Sequence, residues 1–449
     1  MAKSIAIIGG GFSGTLAAIN LLRHCESRLV LIERQPLAGE GLAYGAAHPA
    51  HLLNVRAANM SAFPDDPGQF HRWVAAQAPG GDPNPFVPRL RYGDYLRELL
   101  DAARHAAEGR LEIIRGDAVD VIRDGGTTHV VLDDGRRIDV DTAMLAIGNL
   151  PPHTQPGTAG LPERVYAPDP WAPGALDGLG EDDTVLALGT GLTMVDVVLA
   201  LRARGFGGRI VAMSRRGLLP HPHAAAAPPP DPLDERPRET GSALLRRVRA
   251  RARAIGWRAA IDELRRFTQD MWRAASDHER ARFLRHLRPW WDVHRHRLAP
   301  AVAEALADLR ESGTLSVVAG KIVATAADDD GLTVTWRPRA SAAPETVRVA
   351  RMINCTGPQG DLLRAEEPLL RNLVARGTLR PDALRIGIDV DAQSRTIAAD
   401  GTSNAWLYAL GPMTRGAFWE IVAVPDIRVQ SWSVARRLAN AQWVGGEGL

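Results

Sequence analysis

Short apolar runs recur along this chain, and most of them end in glycine. Ser4-Ile-Ala-Ile-Ile8 leads into Gly9-Gly-Gly-Phe-Ser-Gly14, and the next apolar positions, Leu16, Ala17, Leu21 and Leu22, fall on one side of a helix. A second run, Arg28-Leu-Val-Leu-Ile-Glu33, closes on an acid. Runs this short and this apolar predict strands buried on both faces, as in a parallel sheet. The order then repeats. Thr184-Val-Leu-Ala-Leu188 precedes Gly189-Thr-Gly-Leu-Thr-Met194, a helix is expected around Val195–Leu201, and the strand Arg209–Met213 runs into Ser214-Arg215-Arg216. Three further strands end in glycine, at Gly148 after 141–147, at Gly357 after 351–356, and at Gly411 after 404–410. A last helix is expected from Pro425 or Asp426, carrying Val429, Trp432, Val434 and Leu438. Alternating strand and helix predict an α/β chain.

Each glycine turn carries a chemistry set by its spacing. In Gly9-x-Gly11-x-x-Gly14 the first glycine permits the tight turn, the second lets backbone approach a pyrophosphate, and the third allows close helix–strand packing. The N-terminus of the helix that follows presents free N–H groups to the anion. Glu33, 24 residues after Gly9, is placed to accept hydrogen bonds from ribose hydroxyls. Strand, turn, helix, strand and acid together predict a Rossmann-like dinucleotide unit. The second copy, Gly189-Thr190-Gly191, has Met194 where the third glycine is expected, so its helix is predicted to sit slightly further from the strand. At its ribose position stand Ser214, Arg215 and Arg216, with Arg215 falling 26 residues after Gly189. A carboxylate there would repel a 2′-phosphate, whereas Ser-Arg-Arg hydrogen-bonds and neutralises it. The second nucleotide is therefore predicted to be NADPH rather than NADH. The fold class that follows is α/β, two interleaved Rossmann-like (doubly wound) dinucleotide-binding domains with a helical insertion.

Composition narrows the partners. The 449 residues hold 54 basic against 52 acidic residues, so no strongly polyanionic partner is implied. All but Lys3 and Lys321 of the basic residues are arginine, which reads as codon usage rather than recognition. Cys25 and Cys355 form no C-x-x-C pair, which disfavours a dithiol or a structural zinc site and fits a reducing compartment. The first apolar run is too short for a signal peptide, and no stretch of about 20 residues is apolar enough for a bilayer. The chain is expected to be cytoplasmic, with no membrane partner; its oligomeric state is left open.

One segment departs from the two-domain pattern. His221–Pro232 is Pro-rich and predicts a stiff linker, and Ser242–Leu287 reads as helical. Residues 241–300 contain 15 arginines and 6 acids, interleaved with Trp257, Trp272, Trp290 and Trp291. Basic residues with aromatics can mark nucleic-acid binding. The balanced whole chain favours instead a helical cap over an active-site cleft, with its apolar face packed and its arginines solvated. An anionic or carboxylate-bearing substrate would suit that field. His221-Pro-His223 and His294-Arg-His296 lack i, i+4 spacing and an accompanying acid cluster, so no metal is expected.

This order of motifs resembles the two-dinucleotide-binding-domain flavoproteins, which include disulfide reductases and flavin-containing, Baeyer–Villiger and N-hydroxylating monooxygenases. The chain is most similar to a bacterial group described as FAD/NAD(P)-binding proteins, through Gly41-Leu-Ala-Tyr-Gly45, Leu53-Asn-Val-Arg56, Met60–Asp66, Ser214–Pro220, Pro289–His296 and Gly416-Ala-Phe-Trp-Glu420. The resemblance implies that the N-terminal unit holds FAD and the inserted unit NADPH. Gly9, Gly11, Phe12, Ser13, Gly14, Glu33 and Arg34 would then hold the ADP half of FAD. Val119 would lie by the adenine, Gly148 would close the pocket, and Gly411 and Pro412 would sit at the ribityl–flavin end, Pro412 standing where the superfamily often has Asp. Gly189, Thr190, Gly191, Ser214, Arg215 and Arg216 would hold NADPH. The implied segments are 1–160 and 361–449 for FAD, 161–217 and 301–360 for NADPH, and 218–300 for the cap.

The residues then select among the family's chemistries. Disulfide reductases need a redox cysteine pair beside the flavin, and this chain has none. The Baeyer–Villiger signature F-x-G-x-x-x-H-x-x-x-W-P is missing between Gly148 and Gly189. What is expected is reduction of FAD by NADPH, followed by reaction with molecular oxygen through a C4a-(hydro)peroxyflavin that hydroxylates a small, amine- or carboxylate-bearing substrate. The alternative is a reductase passing electrons to another acceptor. Arg56 and Asn54, following the second strand, are the candidate catalytic residues: Arg56 for a reduced flavin or peroxide, Asn54 for the ring edge. Trp419 is a candidate pocket wall.

Overall fold

The computed structural model describes residues 3–78, 80–224 and 235–439, so most of the Pro-rich stretch lies outside the described residues. Two sheets carry the molecule. The first has six strands in the order Arg395–Ile397, Ser403–Ala409, Thr142–Leu145, Ser4–Ile8, Arg28–Glu33, Leu111–Arg115. All its pairings are parallel except that of the Arg395–Ile397 edge. Its strands come from both ends of the sequence. From Ser4–Ile8 the chain winds outward through Arg28–Glu33 to Leu111–Arg115, then returns to Thr142–Leu145 on the other side. Winding therefore reverses between Ser4–Ile8 and Thr142–Leu145, where a doubly wound sheet opens a crevice at its carboxyl ends.

The second sheet repeats this plan. Its order is Glu345–Val349, Gly331–Pro338, Leu315–Asp328, Arg209–Ser214, Thr184–Leu188, Arg351–Asn354, Tyr166–Ala167. Thr184–Leu188 pairs in parallel with Arg209–Ser214 on one side and Arg351–Asn354 on the other. An antiparallel meander, 315–349, extends one edge. A third sheet of Ala118–Asp124, Thr127–Leu132 and Arg137–Val140 packs on the first, with Val119 at its start.

The helices after both glycine turns are buried on nearly every side. Phe12–His24 buries Ser13 through Leu22, and Leu192–Ala203 buries Met194 through Val198 together with Ala200 and Leu201. A helix apolar all round is one packed on several faces, and Phe12–His24 lies against both Val424–Leu438 and Arg89–Ala106. Each fully buried Leu or Ile in these cores contributes roughly 1.5–3 kcal/mol.

The insertion is helical, as Gly241–Ile255, Trp257–Arg265, Thr268–Ala274, Asp277–His286 and Arg288–Arg295. Its arginines correct the expectation of a solvated basic face. Arg246, Arg247 and Arg249 are exposed. Arg247 nonetheless pairs with Glu239, and others pair with carboxylates of their own, among them Arg251 with the buried Glu263, Arg265 with Asp426, Arg288 with Asp292, Arg295 with Glu420 and Arg297 with Asp262. Short helices packed on a protein surface cover acids, and a covered acid needs a cation beside it.

Candidate functional site

The first glycine turn sits at the carboxyl end of Ser4–Ile8. Gly9 has φ of 101°, and a β-carbon on Gly14 would collide with the Gly9 carbonyl oxygen. Gly11 caps the helix, and no side chain reaches its first-turn N–H groups, which leaves them for an anion. Glu33 lies at the end of the neighbouring strand. Its Oε2 accepts from Gly10 N at 2.6 Å and its Oε1 from Gln35 N at 2.7 Å, so the carboxylate is fixed beside the turn. Arg34, next along, pairs with Glu367 at 3.1 Å and faces Asp117. Val119 lies just beyond, its carbonyl held by Asn372 Nδ2 at 2.9 Å.

Gly148 and Gly411-Pro412 reach the same end of the sheet. A β-carbon on Gly9 would collide with the carbonyl of Ala146, two residues before Gly148, and one on Gly411 would collide with Ser13 Oγ. The Gly411 turn is anchored by a residue the sequence reading missed: Gln430 Oε1 accepts from Gly411 N at 2.8 Å, while its Nε2 donates to Ser394 Oγ and Thr414 Oγ1. Gly9, Gly11, Phe12, Ser13, Gly14, Glu33, Arg34, Gly148, Gly411 and Pro412 are thus brought together by five parallel strands. This set fits the phosphates and ribose of FAD.

The second turn is built alike. Gly189 has φ of 123°, Gly191 caps Leu192–Ala203 without a side-chain partner, and Gly189 N donates to Met213 O at 2.7 Å as Gly9 N does to Ile32 O at 2.8 Å. Strand register aligns Ile8 with Ile32 and Leu188 with Met213. The residue matching Glu33 is therefore Ser214, and Arg215 matches Arg34. Thr190 Oγ1 donates to the Leu218 carbonyl at 2.6 Å and lies 2.9 Å from Ser214 Oγ, which accepts from Gly217 N. These bonds fold the segment after Ser214 back onto the turn. Arg215 is exposed and Arg216 half-buried, and neither has a carboxylate partner among the described residues.

A buried polar joint connects the two units. Asp196, on the helix after the second turn, is 6% exposed and accepts from both Nη atoms of Arg89, at 2.8 and 3.0 Å. Burial raises its carboxyl and Arg89 opposes the rise. His51 Nδ1 accepts from His48 N, so its Nε2 carries the proton and donates to the Asp196 carbonyl at 2.8 Å. Nothing in the sequence pattern marks these partners beyond one acid in an apolar helix.

Asn54 and Arg56 lie on the loop beside this joint. The Asn54 carbonyl accepts from His223 Nε2 at 2.9 Å; Arg56 stacks on Phe86 at 4.6 Å and donates to the Asn84 carbonyl at 2.9 Å. Asn54 is thereby tied to the start of the insertion and Arg56 to the 84–86 loop.

The insertion closes over the Gly416–Glu420 block. Trp272 stacks on Trp419 at 4.5 Å and donates through Nε1 to the Gly416 carbonyl at 2.8 Å. Glu420, 4% exposed, accepts from Trp291 Nε1 at 2.7 Å and faces Arg295 at 3.2 Å. Burial would raise the Glu420 carboxyl, but His296, Arg295 and the Trp291 N–H outweigh it and hold it below the usual range. The Gly416–Glu420 motif was legible in the sequence, whereas the role of Glu420 in fastening the cap was not. Among the described residues no group of three or more His, Cys, Asp or Glu is placed to hold a metal, and no helix is long and apolar enough to cross a membrane. Cys25 and Cys355 are both free and buried, one in each of two separate cores.

Comparison with known proteins bears on the fold and on the first unit. Residues 6–150 match the model of a family described as FAD-NAD(P)-binding. No curated protein matches the chain. Among solved structures, the L-lysine 6-monooxygenase of Pseudomonas syringae is 14% identical, with 98% of this chain and 100% of that one covered and a TM-score of 0.67. The ornithine hydroxylase of Pseudomonas aeruginosa is 13% identical over 98% and 99%, at 0.64. The FAD-bound cadaverine monooxygenase of Erwinia amylovora is 12% identical over 98% and 95%, at 0.67. Residues 6–150 thus match a FAD-NAD(P)-binding family, and the chain as a whole shares the fold of these two-dinucleotide-binding-domain flavoprotein structures.

Proposed function

We propose that this protein is a FAD-dependent, NADPH-consuming monooxygenase that hydroxylates a small substrate bearing an amine or carboxylate. The observation that carries this reading is the pairing of two like glycine turns with unlike strand ends. A fixed carboxylate stands beside the first, and two arginines without carboxylate partners among the described residues stand beside the second. The first suits the ribose of resident FAD, the second the 2′-phosphate of NADPH. Bound FAD supplies two-electron acceptance and reactivity with oxygen. The chain's part is to hold both nucleotides, keep the units in register through Arg89–Asp196, and exclude water under the insertion. Asn54 and Arg56 are assigned to the reacting edge as part of the same proposal. The named activities of the similarly folded lysine, ornithine and cadaverine monooxygenases support the reaction type. The buried, separated cysteines give dithiol chemistry no support.

Purified protein is expected to carry FAD and to be reduced anaerobically by NADPH at least about tenfold faster than by NADH, the factor that one charge-assisted hydrogen bond supplies. Reoxidation by air should pass through a transient absorbing near the blue edge of the visible range. Protein that takes up no FAD would sink the reading, and reoxidation without a transient would favour an oxidoreductase serving another acceptor.

A further inference from the structure

One buried cation lies outside both glycine turns. Arg415 closes the turn that begins at Gly411, and only 8% of its surface is exposed. Its Nε donates to the Pro412 carbonyl at 3.1 Å and its Nη2 to Asn149 Oδ1 at 3.2 Å. It is thus held between the ends of two strands of the first sheet, next to the turn that Gly411 packs on Ser13. Both acceptors are uncharged. Among the described residues no carboxylate lies within ion-pair distance of its guanidinium, and its Nη1 donates to no protein group.

The nearest acids are already engaged. Asp382 accepts from the backbone N–H groups of Leu384, Ile386 and Gly387, at 2.9, 2.7 and 2.6 Å. Asp292 pairs with Arg288 at 3.3 Å. Burial, with Arg288 nearby, pushes the Arg415 guanidinium down to about 10, which leaves it cationic at neutral pH. Arg295 and Arg297, also largely covered, each face a carboxylate. A covered guanidinium without a counter-charge is strongly unfavourable, and a site keeps one where a ligand supplies the missing charge.

We propose that Arg415 is the seat of an anionic group that a ligand brings to the Gly411–Arg415 turn, beside the first glycine turn and the Gly416–Glu420 block that the insertion covers. The chemistry is that of a planar, delocalised monoanion met by the free edge of the guanidinium. Two sources carry such a group: a substrate carboxylate, and the ring of reduced flavin. The inference rests on the flavoprotein reading for the second source only.

The test uses full-length holoprotein, wild type, Arg415→Gln and Arg415→Lys, with formate and benzoate as probes. If the source is a substrate carboxylate, wild-type thermal midpoints should rise with benzoate, and Arg415→Gln should weaken benzoate at least tenfold and leave the flavin midpoint potential unchanged. If the source is the flavin, probe affinity should hold while the potential of Arg415→Gln falls. In either case ligand-free Arg415→Gln should melt no lower than wild type, because it sheds an uncompensated buried charge. Arg415→Lys, which keeps the charge without the fork, should lie between the two and carries the test if Arg415→Gln does not fold. Lowered ligand-free stability with probe affinity and potential both unchanged would make Arg415 a structural brace and overturn the proposal. Protein devoid of FAD would overturn the function proposed above, while the benzoate titration would still read Arg415.

Discussion

The two glycine turns share a backbone and differ in what surrounds it. Gly11 and Gly191 have nearly the same dihedrals, −72° and −166° against −88° and −166°. Around the first turn everything is closed. A β-carbon on Gly11 would lie 3.3 Å from Gly41 Cα, Glu33 is bonded to Gly10, and Arg34 is neutralised by Glu367. Around the second the corresponding places are open: among the described residues a β-carbon on Gly191 would meet nothing within 4 Å and Arg215 has no carboxylate partner, and Ser214 replaces the acid. Under the proposed function, pyrophosphate recognition needs only the backbone and is common to both. Which nucleotide binds, and whether it stays, is then decided by side chains at the strand end. A covered turn suits a resident cofactor, and an open one suits a cosubstrate that exchanges.

The harshest way to break the comparison is at the third glycine position. Gly14→Ala drives a methyl group into the Gly9 carbonyl, where neither backbone can retreat. It should cost about 3 kcal/mol or more and abolish FAD retention. The counterpart, Met194→Ala, removes a fully buried side chain and should cost roughly 2–4 kcal/mol through its cavity while leaving NADPH affinity nearly intact. Urea unfolding with flavin content measured in parallel checks both. A Gly14→Ala protein that keeps its flavin would show that the turns are not built on the same constraint.

A finer cut separates Arg215 from Arg34. Arg215→Glu should weaken NADPH by about 10–100-fold and NADH hardly at all, the scale of one or two charge-assisted hydrogen bonds. Arg34→Gln should shift neither, since its charge is spent on Glu367 and Asp117. Equal losses for both nucleotides in Arg215→Glu would remove the 2′-phosphate from that strand end.

How much of this was legible beforehand follows from where each signal is written. Both turns are local in sequence: Ser4–Ile8, Gly9–Gly14 and Glu33 lie within 30 residues, and their spacing is dictated by one strand, one turn and one helix. Register was legible only approximately. Counting from Gly189 set Arg215 against Glu33, whereas the strand pairing sets Ser214 there, because the second helix and its loop are one residue longer. Long-range polar contacts were not legible. Arg89 and Asp196 are 107 positions apart, Trp291 and Glu420 are 129 apart, and Arg415 meets Asn149 across 266. No periodicity links such residues; only the packed fold brings them together. The arginine-rich composition hid them further, since Arg89, Arg295 and Arg415 look like all the others until their burial is known.

The smallest effect concerns the joint that holds the two turns in register. His51 is neutral there, burial keeping its imidazole below the ordinary histidine value, and its Nδ1 must stay unprotonated to accept from His48. In the unfolded chain the same ring titrates near 6.5. Between that value and its lower folded one, the unfolded state binds more protons, so stability rises with pH. The contribution is complete above about pH 6.5 and is lost as the pH falls toward the folded value, at up to about 1.4 kcal/mol per pH unit. His24, His153, His221, His223 and His296 are shifted the same way and add to the slope. Replacing His51 by Gln should therefore flatten urea midpoints measured between about pH 5.5 and 7.5 without erasing the trend. Asp196 and Arg89 face this ring as a buried, doubly hydrogen-bonded pair. An unchanged slope in His51→Gln would mean that the ring lets in water on acidification, and that the joint between the two turns is held by Arg89–Asp196 alone.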